Sequence, residues 1–190
     1  MTRNDAYTLM TQWTENDNLR RHMLAVEAAM VEYARKYKED EELWAVVGLL
    51  HDMDYEKHPT AEEHPYVAVK YLQEQGVSEE ITHAILAHAS YTGVTPVNLM
   101  EKVLLAVDEL CGFVTACVYV RPSRSIHDLT PKSVKKKMKS IGFSRAVNRE
   151  DITKGAELLG VSLDEHIQTV IDGMRRVADD LDLAGTLEHN

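Results

Sequence analysis

Apolar side chains return at every third or fourth position through most of this 190-residue chain, and that spacing admits few architectures. Leu19, Met23, Val26, Met30 and Tyr33 form one stripe, which predicts a helix from about Asn18 to Lys36. Leu43, Val46, Val47 and Leu50 repeat the pattern in a second helix that ends at the pair His51-Asp52, followed by a loop from Asp54 to Pro59. Thr60 and Glu63 read as a capping box opening a third helix, which runs to about Gln75 and stops at Gly76. Ser78 reads as the cap of a fourth, carrying Ile81, Ile85 and His88 to near Ser90. After the turn-rich break Thr92 to Pro96, a long apolar segment spans about Asn98 to Val118. Its end, Phe113 to Val120, is rich in β-branched residues, but no partner strand is evident, so helix is the expectation there too.

The last third has the same grammar. Thr130-Pro131 starts a short helix to about Ile141, closed by Gly142; Asn148 starts another, to Leu159; Ser162 and Glu165 form a capping box for a final helix through about Asp182. The expectation is a single all-α domain over residues 1–183, with a tail from Ala184 to Asn190 that frays.

With 44% apolar and 27% charged residues the chain is built to fold. Its formal net charge of -10 argues against a general nucleic-acid coat or a membrane-surface protein, both of which need positive potential. No N-terminal apolar stretch and no run of membrane-spanning length is evident, which makes the cytoplasm the expected location. Cys111 and Cys117 stand in an apolar run and read as small buried hydrophobes rather than redox or metal groups.

The chemistry rests with the histidines and two aspartates. His51-Asp52 closes an apolar helix; His22 lies in the first stripe, His64 early in the third helix and His88 near the end of the fourth. Asp108 is set among Leu104, Leu105, Ala106 and Val107, a costly place for a carboxylate unless it is paired, liganded or solvated. Each group comes from a different helix or helix end, which is how helical bundles build metal sites. His83 is turned away from His88 and reads as a surface or supporting residue. His58, His127, His166 and His189 show no partner pattern and read as solvated, with His58 close enough to the His51-Asp52 pair to touch a substrate.

His22, His51-Asp52 preceded by Gly48-Leu49-Leu50, and Asp108 within Ala106-Val107-Asp108-Glu109-Leu110 resemble the HD-domain superfamily of metal-dependent phosphohydrolases, over about residues 18–120. The resemblance implies an HD-domain-like helical bundle in which His22, His51, Asp52 and Asp108 bind one ion. In two-ion members a further histidine pair joins, matched here by His64 and His88, and Asp52 bridges. Such mixed imidazole and carboxylate ligands favour Mn, Fe, Co, Ni or Zn, with Mg less favoured.

The implied activity is hydrolysis of a small phosphorylated metabolite or nucleotide by metal-activated water. Asp52, Glu56 and Lys57 are the expected catalytic residues, with Glu109 a further candidate for proton handling. From Arg121 to Arg149 the chain carries nine basic residues against one acid, Asp128, so Arg121, Arg124 and Lys132 are the expected holders of an anionic substrate. Met53-Asp54-Tyr55 stands where members acting on cyclic dinucleotides show Ile-Gly-Lys, which argues against that substrate class. Two alternatives use the same ligands: a diiron oxygenase cleaving a C–C or C–P bond, and a regulatory or binding protein tied together by metal. A homodimer is expected from base rates alone.

Overall fold

The computed structural model describes residues 1–185 except 141 and 146, and among them it holds nine α-helices and no strand. They are α1 (Arg3–Trp13), α2 (Asp17–Tyr37), α3 (Glu41–Leu50), α4 (Tyr66–Glu74), α5 (Glu79–Ala87), α6 (Leu99–Tyr119), α7 (Pro131–Met138), α8 (Arg149–Leu158) and α9 (Leu163–Arg176). The β-branched end of the long apolar segment is helical, as its lack of a partner strand predicts.

Local chemistry sets most of these boundaries. The side chain of Asn16 accepts the N–H groups of Asn18 and Leu19 to start α2, Asp40 does the same for α3, and Asn98 accepts from Glu101 to start α6. α2 and α6, each 21 residues and so about 30 Å long, form the centre of the bundle. α2 buries Met23, Val26, Met30 and Tyr33 and packs on α3, α6 and α9, while α6 carries α8 on its outer side. The C-terminal helices are therefore part of the same packing.

Three boundaries and one cap differ from the sequence reading. Thr60 and Glu63 make no capping box: residues 60–65 form turns and α4 begins only at Tyr66. Pro65 has no N–H to donate and disfavours helical geometry at His64, so the helix starts beyond it. Ser78 occupies the cap position of α5 without a side-chain hydrogen bond. α9 ends at Arg176 rather than near Asp182, because the following turns bury Leu181 and Leu183 and let the Leu183 carbonyl accept the N–H of Ile126. α7 stops at Met138; the expected end at Ile141 and residues 186–190 of the expected frayed tail lie outside the described residues. α1, absent from the sequence reading, is opened by a capping box between Thr2 and Asp5 and buries Ala6, Leu9 and Met10.

Both cysteines are buried and free. Among the described residues, no helix is long and apolar enough to cross a membrane.

Candidate metal centre

Helix ends orient two of the site histidines. The last carbonyls of an α-helix lack intrahelical partners. His51 follows α3 and its Nδ1 donates to the carbonyl of Gly48 at 2.8 Å; His88 follows α5 and its Nδ1 donates to the carbonyl of Ile85. In each the proton sits on Nδ1 and the Nε2 lone pair is free to face the centre of the bundle.

His64 is fixed by a different device, a buried carboxylate. Its Nδ1 lies 2.7 Å from Oδ1 of Asp54, whose Oδ2 accepts the N–H of Ala68 at 2.8 Å. Asp54 is fully buried, and the sequence reading did not single it out as a partner of the site histidines. Its signal was present as the second carboxylate of Asp52-Met53-Asp54.

The six groups converge as two sets. His22, His51 and Asp108 lie close enough to share one ion, and Asp52, His64 and His88 close enough to share another. Asp52 faces both. Its Oδ2 is 3.5 Å from His51 Nε2 and 3.8 Å from His22 Nε2, while its Oδ1 is 3.3 Å from His64 Nε2 and 3.5 Å from His88 Nε2. The donors thus present nitrogen and carboxylate oxygen from several sides, a set suited to divalent transition ions.

One atom makes the fit specific. His51 Nε2 is buried without a hydrogen-bond partner, its nearest carboxylate oxygens being Asp52 Oδ2 at 3.5 Å and Asp108 Oδ1 at 3.6 Å. Those separations exceed a hydrogen bond, and a buried orphan of this kind is costly unless a ligand completes it. Charge points the same way. Burial opposes ionisation of Asp52 and Asp108, yet the imidazoles beside them hold both carboxyls well below the usual range. Burial likewise disfavours charge on His51, but Asp52 and Asp108 outweigh it and push its pKa up to about 9. Without an ion, the centre attracts protons as stand-in cations.

The centre forms the floor of an open cavity of about 990 Å³. Tyr55 and Tyr91 stand on the His64 side, and Glu109, Asp151, Lys154, Glu157 and Leu158 line the wall made by α6 and α8. Gly155 permits that wall, since a Cβ there would come within 2.9 Å of Ala106 on α6.

The other expected site residues do not line this cavity. The Glu56 carboxylate accepts the N–H groups of Glu15 and Asn16, at 2.6 and 3.2 Å, and so fastens the turn after α3 to the α1–α2 junction. Lys57 lies over the ring of Trp13. Arg121 is paired with Asp128 at 2.8 Å, Arg124 lies over Tyr119, and Lys132 is exposed on α7. Much of the basic segment is likewise occupied internally: Lys135 pairs with Asp164, and Arg149 donates to carbonyls of Met138, Ser140, Phe143 and Val147.

Two histidine readings change. His166 is fully buried, not solvated: its Nε2 donates to the carbonyl of Ala106 at 3.0 Å, so its Nδ1 accepts the hydroxyl of Tyr33 at 2.6 Å. His58 bonds to Glu63 and does not line the cavity. His83 bonds to the buried Glu101, and His127 is exposed. His189 lies outside the described residues.

An all-helical bundle that gathers two His/Asp sets side by side is suited to a mono- or dinuclear transition-metal site. Residues 19–110 match the family model of the HD domain, a segment that begins before His22 and ends after Asp108. The chain carries an HD domain, and its paired ligand sets agree with the two-ion phosphohydrolases of that superfamily. No curated protein and no solved structure matches the chain significantly.

Proposed function

We propose that this protein hydrolyses a phosphomonoester or nucleotide at two divalent transition ions, one held by His22, His51 and Asp108, the other by His64 and His88, with Asp52 shared. The observation that carries this reading is Asp52, which turns one oxygen toward each histidine set from a single, largely buried carboxylate. Bound there, such ions lower the pKa of water and offset charge on phosphoryl oxygens. The chain's own part is positioning. Asp54, Gly48 and Ile85 hold three imidazoles in the tautomer that leaves Nε2 free. Glu109, half-buried at the edge of the floor, has its pKa raised by burial and by the charge of Asp108, and its position suits it to pass a proton to the departing alkoxide.

The test is metal content by elemental mass spectrometry, followed by turnover of p-nitrophenyl phosphate with manganese or iron restored. About two ions per chain and metal-dependent phosphate release are expected, with Asp52→Asn lowering kcat by about a thousandfold or more. Iron-specific dioxygen consumption without phosphate release would overturn the hydrolase in favour of an oxygenase. Metal bound without turnover of any phosphoester would leave the tie as structural.

A further inference from the structure

The wall above the metal floor differs in charge from what a polyphosphate needs. Two divalent ions set against Asp52 and Asp108 leave the floor net positive, which suits one phosphate dianion. Above it, Asp151 and Glu157 line the cavity from α8, both exposed. Lys154 stands between them, but its ammonium is 2.9 Å from the Glu150 carboxylate, one turn earlier on the same helix. Its charge is therefore matched before any ligand arrives, and the wall stays negative. Tyr55 and Tyr91, 44% and 52% exposed, add flat apolar surface at the same cavity. A second phosphate or a carboxylate entering here meets like charge, whereas an ammonium group meets the opposite charge.

We propose that the substrate is a phosphomonoester whose organic part carries a cationic amine, with the phosphate on the metal floor, the organic chain beside Tyr55 and Tyr91, and the amine against Asp151 and Glu157. The proposal rests on the phosphohydrolase reading for its reaction, though not for its binding preference. Asp151 and Glu157 belong to α8, beyond the segment that matches the HD domain, so the specificity is built by this chain's own C-terminal helices.

Calorimetry on manganese-loaded protein tests this with three phosphonates of equal chain length, which are not hydrolysed: aminoethylphosphonate, propylphosphonate and phosphonopropionate. Affinity should fall in that order, with the amine at least about tenfold tighter than the carboxylate. Asp151→Asn with Glu157→Gln should shrink that ratio to about threefold or less while leaving propylphosphonate affinity nearly unchanged. Both side chains are exposed and the changes keep their shape, so the variant's fold is checked simply by its circular dichroism. Equal affinity for the three ligands, tightest binding of phosphonopropionate, or an unchanged ratio in the variant would overturn the proposal. Failure of the hydrolase reading shows separately, as no turnover of p-nitrophenyl phosphate by a preparation in which the charge ranking persists.

Discussion

Asp54 is absent from both ligand sets and yet holds one of their members in place. Its two oxygens accept from His64 Nδ1 and from the Ala68 N–H, and it is fully buried. An asparagine there retains one oxygen, which can serve His64 or Ala68 but not both equally. Asp54→Asn should therefore weaken the ion held by Asp52, His64 and His88 by about 10–100-fold, while the ion at His22, His51 and Asp108 is retained. Metal stoichiometry across a chelator series would show it; equal loss of both ions would mean that Asp54 supports the fold and not one ligand. His166 gives a second prediction. Burial lowers its pKa from 6.5 to about 4, so between those values the unfolded chain takes up a proton that the folded protein does not. The stability contribution is full above about pH 6.5 and declines as pH falls toward 4. Between pH 7.5 and 4, urea denaturation with chelator present should show the wild type losing about 3 kcal/mol more than His166→Gln, which can keep both hydrogen bonds. Identical pH slopes would place the acid sensitivity elsewhere. These two residues also mark where the sequence stops speaking. His51, Asp52 and Asp108 declare themselves locally, by a polar pair at a helix end and a carboxylate in an apolar run. His166 is buried by α2 and α6, more than fifty residues away in the chain, and nothing in its own segment distinguishes it from a solvated histidine.

At the scale of elements, the distance between α2 and α3 sets the position of His51. Gly48 lies where a Cβ would come within 2.7 Å of the Glu27 Cα and 2.9 Å of its backbone nitrogen, so the two helices touch backbone to backbone. Its carbonyl also receives His51 Nδ1. Alanine is ordinarily about 1 kcal/mol better than glycine inside a helix. Here the added methyl must push α3 away from α2, and Gly48→Ala should instead destabilise by about 1–3 kcal/mol and lower metal occupancy through displacement of His51. A stabilised variant with full metal content would show that the contact relaxes without cost. Element identity was legible because periodicity and caps are local: α2, α3, α5, α6 and α8 begin and end close to their apolar stripes and their Asn, Asp or Gly residues. Where tertiary demands compete with local signals, boundaries moved. Thr60 and Glu63 have a capping-box spacing but precede Pro65, and α9 gives up its last turns so that Leu181 and Leu183 can be buried. α1 is opened by a capping box of its own, Thr2 with Asp5, a spacing that is local and present in the sequence.

For the whole molecule, the consequence of the site is that one ion pair would fasten elements drawn from a large part of the chain. His22 belongs to α2, His51 and Asp52 to the end of α3 and its turn, His64 to the approach to α4, His88 to the end of α5, and Asp108 to α6. Without ions, the folded state must hold Asp52 and Asp108 ionised and partly buried beside an orphaned His51 Nε2. In the unfolded chain each of these groups is solvated alone, so most of the binding free energy of the ions should appear as folding free energy. At a metal concentration one hundred times Kd, a single site adds about 2.7 kcal/mol. For a chain of this size that corresponds to a rise in Tm of about 5–10 °C. Manganese added to chelator-treated protein should therefore raise Tm in a concentration-dependent way, in two stages if the sets differ in affinity. Asp52→Asn should flatten both stages, since both ions share that carboxylate, whereas Asp54→Asn should flatten only the stage that belongs to His64 and His88. Scanning calorimetry at a series of manganese concentrations distinguishes these outcomes. A response of Asp52→Asn confined to one stage would mean that its two oxygens do not serve two ions, and the shared-carboxylate centre would have to be given up.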